Sequence, residues 1–395
     1  MTLWGELEVG SLTANNREVR DASYGAARAV TRAVHQHMAH HLELARERGE
    51  SPLAQLPDED VIEELIATAF WASLRREEGH PPKISIAYAG VAETEHPLVF
   101  AQPLPFDPAV LTKLALAVER PGIHLGVAPR EGQLSVWGTI RALPRRCCVI
   151  EVAEPGLIVV KEHRGDRLAK YVNIAVLQGD QVKVIDETAS SLPDCPDLLS
   201  SLLGFDSPTS WTDSVNVLVQ LALSMRAHGR GGLLLVVPPD SDEWRESLVR
   251  PITYAITPMW SELALLTRAP AQSVEAWRDA LARAIEAVGG LTAVDGATVM
   301  TRRYDVLAFG AKIARRRGLP PVEQVVVTEP IEGSVASIVN PAELGGTRHL
   351  SAAQFVQDQR DSVALVASQD GRFTVFAWSP CEGSVHAHRV ETLLL

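Results

Sequence analysis

Val294-Asp295-Gly296-Ala297-Thr298-Val299-Met300 and, further on, Gly345-Gly346-Thr347-Arg348-His349-Leu350-Ser351-Ala352-Ala353 decide how this chain is read. In the first stretch an Asp-Gly pair opens an apolar run. That puts a carboxylate where a strand begins, beside a residue that lets backbone approach a ligand closely. In the second, a glycine turn leads into a helix. Its amides, with Thr347, Arg348, His349 and Ser351, can face one anion, because a helix N-terminus carries partial positive charge and unpaired N–H groups. A carboxylate suited to a divalent metal and a turn suited to phosphates together imply a nucleotide site.

Each motif also has an ordinary reading. Asp-Gly is a common hairpin dipeptide. Arg348 fits a solvated helix start, paired with Glu343. Ser368, in Ser368-Gln369-Asp370-Gly371, fits a polar hairpin turn as well as a base or phosphate contact. Around the motifs, Val215 to Met225 reads as a helix and Gly231 to Val237 as a buried strand. Ser273 would cap a helix carrying Val274, Trp277, Leu281, Ile285 and Val288. Residues 305–309 and 325–328 read as strands, and 362–376 as strand, turn, strand. Helices and strands alternate, which implies an α/β layer fold with a mixed sheet.

In this order and spacing the segment from about 211 to 395 resembles the diadenylate cyclase (DAC) domain. The signature of that family is Asp-Gly-Ala followed by Gly-Thr-Arg-His-Arg. The resemblance implies a DAC-like mixed β-sheet flanked by helices. It also implies a site in which Asp295 works with Mg²⁺ or Mn²⁺, while Gly296, Ala297, Gly346, Thr347, Arg348, His349, Ser351 and Ser368 hold the nucleotide. Two positions depart from the pattern. Leu350 stands where the family has its second arginine, and Ser368-Gln369-Asp370 replaces an acidic Ser-Glu-Glu turn. Such degenerate members resemble the DACNV family of nucleotide sensors, and the segment Ser73-Leu74-Arg75-Arg76-Glu77-Glu78-Gly79 in the N-terminal half is similar to that family too.

The resemblance leaves three readings open. The first is a sensor that binds an adenine nucleotide or cyclic dinucleotide. The second is an active cyclase, with Asp295 catalytic, joining two ATP molecules into cyclic di-AMP across a homodimer of facing domains. The third is an assembly role on a nucleotide fold without activity. Losing one transition-state donor, as at Leu350, costs about 10²–10³ in rate, and binding suffers less.

The N-terminal half reads as a helix over about 16–48, a second over 58–76 ended by Gly79 and Pro81-Pro82, and then short β runs. These are 84–87, 133–140, 148–152, 157–161, 172–177 and 181–185, with a helix at 108–118 among them. The sequence thus divides into a β-rich α/β unit over 1–186, a Ser/Pro/Asp-rich linker over 187–210 and the DAC-like unit over 211–395. No internal repeat is visible. His37 and His41 lie one helical turn apart, a metal-binding spacing, but no acidic or cysteine partner follows nearby, so a solvated helix face is expected.

The 395 residues suffice for two cores, and a formal net charge of −12 opposes binding to polymeric nucleic acid. No apolar run approaches the ~20 residues that span a bilayer, and the start lacks a signal peptide's pattern. Cys147, Cys148, Cys195 and Cys381 form no zinc framework, so a cytoplasmic protein with reduced thiols is expected. In a strand, Cys147 and Cys148 would point to opposite faces.

Overall fold

Val30, Val34, Met38 and Leu42, spaced at three to four residues, give helix α1 (Gly25–Glu47) its buried face. Helix α2 (Glu59–Ser73) follows, with Glu59 and Asp60 at its positive end and Ile62, Leu65, Ile66 and Ala69 buried. These residues belong to a computed structural model, which describes 24–164, 171–186, 217–268 and 274–395. The chain divides into two compact units, 1–184 and 185–395.

In the first unit, strands β1 (Ile84–Tyr88), β2 (Leu98–Pro105), β3 (His124–Arg130), β4 (Gln133–Ile140), β5 (Cys147–Glu154), β6 (Leu157–His163), β7 (Tyr171–Gln178) and β8 (Gln181–Val184) make one mixed sheet. Its order is β2-β4-β3-β1-β5-β6-β7-β8. Helix α3 (Pro108–Val118) joins β2 to β3. The Asp107 carboxylate accepts from the amides of Ala109 and Val110, each at 2.9 Å, and Pro108 supplies a preset φ at the first helical position. Ile84, Ile86, Cys148 and Ile150 pack with the helices, while Ala87, Cys147 and Val149 form a separate cluster with Trp137. The two adjacent cysteines therefore do point to opposite faces. Both are fully buried thiols.

The second unit contains α4 (Val217–Ala227), β9 (Gly232–Val237), β10 (Tyr254–Trp260), α5 (Glu262–Arg268), α6 (Val274–Thr292), β11 (Ala297–Thr301) and β12 (Val306–Ala311). There follow β13 (Val325–Thr328), β14 (Ser337–Val339), α7 (Pro341–Leu344), α8 (Thr347–Asp358), β15 (Val363–Ala367), β16 (Phe373–Ser379) and β17 (Ser384–Arg389). The sheet order is β10-β12-β11-β9-β15-β16-β17-β13-β14. Strand β9 is buried along its length. Leu234 and Val236 pack with α4 and α6, and Leu233, Leu235 and Val237 with α8, so both faces are covered. That explains its unbroken apolar run. Ile185 and Asp186, expected in the N-terminal unit, bridge instead to Ile331 and Pro330 of this one. The expected linker at 187–210 and the Ser273 cap lie outside the described residues.

The two units repeat one topology. Strand β1 runs parallel to β3 and antiparallel to β5, and β9 likewise runs parallel to β11 and antiparallel to β15, the seventh strand of its unit. Strand β4 then joins β3 to β2 as β12 joins β11 to β10, and β5-β6-β7 and β15-β16-β17 each continue as an antiparallel run. A helix precedes the first strand and another links the second to the third. The sequence hides this repeat because strand pairing requires a burial pattern, which different residues can satisfy. The units differ after β4 and β12: residues 141–146 lead to β5, whereas residues 312–362, which include β13 and β14, lead to β15. That long connection carries α8.

Candidate functional site

The Asp295 carboxylate stands just ahead of β11, and the pairing of Ala297 with Ala311 brings Lys312 beside it from the end of β12. Lys312 Nζ donates to Asp295 Oδ2 at 2.6 Å. The Lys312 hydrogen bond and charge hold the Asp295 carboxyl below the usual range, and the charge of Arg348 adds to the effect. Gly296 has a φ of +116°, and a Cβ there would stand 2.5 Å from the backbone carbon of Gly310. Its lack of a side chain is thus needed by the neighbouring strand. Ala297 is fully buried.

Helix α8 begins at Thr347. Gly346 is its N-cap in extended conformation and supplies no side-chain bond to the first amides. Arg348 is half-buried and packs over Gly231, the residue before β9. A Cβ on Gly231 would lie 3.0 Å from Arg348 Nη1 and 3.4 Å from Gln369 Cγ. No ion pair to Glu343 or any other acid holds Arg348 among the described residues, while Gly345, Gly346, Thr347 and Leu350 around it are exposed. His349 takes a different place. It is 3% exposed, edge-on to Phe376, and burial pushes its imidazole down. A Cβ on Gly345 would meet the His349 ring at 2.5 Å. Gly345 is therefore there to seat the ring beneath the turn.

Gly346, Thr347, Arg348, His349 and Ser368 line one cleft of about 390 Å³, with Gln369, Asp370 and Arg372 on its other wall. The start of α8 and the β15–β16 turn, separated by α8 and β15, thus meet at the same end of the sheet. Ser351 is half-buried a turn further along α8 and does not line the cleft, nor do Asp295, Gly296 and Ala297. The link between the two motifs is Arg348, whose charge acts on Asp295 and on His228. Burial, then Arg230, then Arg348 push the His228 imidazole down.

Sequence reasoning missed Lys312, His228, Arg230 and Arg372. Arg230 carried a usable signal, as a cation on the glycine turn just before the buried strand. Lys312 carried none, because only the register of β11 against β12 brings it to Asp295. The run Arg315-Arg316-Arg317 serves the fold at least through Arg316. Its guanidinium pairs with Glu243 and Glu246, and its amide donates to Asp358 at 2.7 Å. A larger cleft, about 690 Å³, lies at the opposite end of β9 among Pro238, Trp244, Arg316 and Trp378. It contains none of the motif residues.

Residues 51–141 match the family model described as "Probable sensor domain DACNV". The matched stretch lies in the first unit, includes Ser73 to Gly79, and stops short of both motifs of the second unit. No curated protein matches the chain. A solved structure described as the hypothetical membrane spanning protein from Bacillus cereus is similar at 13% identity, over 48% of this chain and 68% of that one. Its TM-score of 0.27 carries no argument. No helix among the described residues is long and apolar enough to cross a membrane.

Proposed function

We propose that the second unit binds an adenine nucleotide or cyclic dinucleotide and that the chain is a sensor of that ligand. The observation that carries this reading is the cleft at the start of α8. There, helix amides without a side-chain cap, the Arg348 guanidinium and the Ser368 turn face one volume. Arg348 offers a planar fork that matches two phosphate oxygens, Arg230 stands nearby, and the charge of Arg372 is offset by Asp370 at 3.0 Å. The sensor description of the family matched by residues 51–141 supports the same reading. So does the shared topology, because the unit with the sensor likeness and the unit with the motifs are built on one plan.

Cyclase chemistry receives less support. Leu350, where the family has a second guanidinium, is 41% exposed beside Arg348 and brings no charge to the site. Asp295 Oδ2 is already bonded to Lys312, and no second carboxylate joins them in a metal-binding group among the described residues. The residues present therefore do not form a Mg²⁺ or Mn²⁺ site by themselves. Such an ion would arrive with the ligand's phosphates and compete with Lys312 for Asp295. Titration calorimetry with ATP and with cyclic di-AMP, with and without Mg²⁺, tests the binding. Incubation with ATP and Mn²⁺ followed by mass spectrometry tests turnover. Binding without cyclic di-AMP formation is expected, and formation of that product would replace the sensor reading by the enzyme.

A further inference from the structure

The expected solvated face of α1 is not fully solvated at His37 and His41, although His40 beside them is exposed. His41 is buried, His37 is half-buried, and their rings meet at 4.2 Å between centroids. Opposite them is Glu162 on β6, fully buried in the sheet and far away in sequence. The missing acidic partner is supplied by the fold, where α1 packs across β7 and β8 beside β6. We propose that His37, His41 and Glu162 form a zinc-class metal site in the first unit. This inference is independent of the nucleotide reading, which concerns the other unit.

One ligand atom from each of the three residues lies within 4.8 Å of the others. A tetrahedral ion with bonds of ~2.0–2.1 Å separates its ligands by about 3.4 Å. Closing the longer gaps and opening the 2.6 Å contact between His41 Nδ1 and Glu162 Oε2 takes side-chain adjustments of about 1 Å. Two imidazoles one helical turn apart plus one carboxylate is a nitrogen-and-oxygen set that suits zinc, and it leaves a fourth position for water. The second Glu162 oxygen accepts from Arg146 Nη1 at 3.2 Å, and Arg146 in turn reaches Glu50 at 3.4 Å. A ligating carboxylate is typically oriented by such an outer contact. The surroundings also oppose a dication. Arg146 and Arg164 both face Glu162, the latter with Nε 3.7 Å from Oε2, and Glu50 offsets only part of their charge. The affinity is accordingly that of a site working against two guanidiniums, and copper or nickel would also enter it.

The test uses the full chain, stripped with a chelator and titrated with Zn²⁺ against a competing chromophoric chelator. One equivalent of zinc is expected at this site. His37→Ala should weaken it at least tenfold, while His35→Ala and His40→Ala leave it unchanged. Glu162→Gln strands Arg146 and can unfold the unit, so a second readout on the unaltered chain is Co²⁺. Visible absorption of a nitrogen- and oxygen-ligated ion is expected, and Zn²⁺ should displace it. Zinc binding that His37→Ala leaves intact, or no binding of either ion by the unaltered chain, overturns the proposal.

Discussion

Lys312 Nζ lies 2.6 Å from Asp295 Oδ2, so the carboxylate of the Asp-Gly-Ala run already has a cation beside it. The pair sits in the open, with the Asp295 side chain 91% and that of Lys312 52% exposed. Solvent screens such a contact, and its contribution to stability is small. Its consequence is for ligand binding. Under the proposed nucleotide reading, a bare carboxylate near phosphates would repel them, and the Lys312 ammonium would offset that charge in place of a divalent ion.

Replacing Lys312 with Ala should therefore make nucleotide binding depend on metal. Without Mg²⁺ the affinity is expected to fall about two- to fivefold, and Mg²⁺ should restore most of it. Calorimetry in chelator and in Mg²⁺ decides this. Equal metal-free affinities in the two proteins would show that Asp295 does not act on the ligand.

Leu350→Arg adds a guanidinium on the first exposed turn of α8, beside Arg348. It should raise nucleotide affinity about three- to tenfold through a charge-assisted contact. Because the position is exposed, the melting temperature should hardly move. A gain in stability without a gain in affinity would place residue 350 away from the ligand.

Two glycines should respond differently to Ala. At Gly296 the φ of +116° and the Gly310 backbone 2.5 Å from the new Cβ leave no escape. The expected cost is about 2–4 kcal/mol by denaturant unfolding. At Gly231 the closest atom is the mobile end of Arg348, and the φ of +70° accounts for most of the ~1–2 kcal/mol expected. That variant should instead displace Arg348 and lose ligand affinity. Equal destabilisation at both sites would contradict the close packing of β11 on β12.

Acid should weaken the fold before the carboxylates titrate. Burial holds the imidazoles of His124 and His388 down to about 4. In the unfolded chain they bind protons near 6.5. Between those values the unfolded state takes up more protons, so the stability they contribute is complete above pH ~6.5 and is lost as pH falls toward 4. Each contributes about 1.4 kcal/mol per pH unit at most in that window. Melting temperatures at pH 7, 6 and 5.5 should fall accordingly. His388→Asn, which can keep a hydrogen bond to Thr328, should make the slope shallower. An unchanged slope would mean that His388 is protonated in the folded chain.

What was legible in the sequence follows from burial. The apolar runs at 84–88, 133–140, 147–154, 157–163 and 232–237 have cores on one or both faces, and their pattern marks them as strands. Strands β2 and β10 passed unnoticed because they lie at the sheet edges, largely exposed, with Pro103 and Pro258 inside them. Strand β17 was hidden by His386 and His388 in an otherwise apolar alternation. At the site, the glycine turn leading into a helix at Thr347 was legible, and α8 begins there. The burial of His349 was not, because only the packing of Phe376 and Gly345 reveals it. Nor was the Glu162 partner of His41, which lies on a distant strand.

The sensor reading requires Arg348 to hold a ligand phosphate at the start of α8. Titration calorimetry of the unaltered chain and of Arg348→Ala, with ATP and with cyclic di-AMP in Mg²⁺, tests it most directly. Loss of a charge-assisted hydrogen bond is worth ~1.5–3 kcal/mol, so the variant should bind about ten- to a hundredfold more weakly while melting at nearly the same temperature. Unchanged affinity in Arg348→Ala, or no binding of either nucleotide by the unaltered chain, would contradict it.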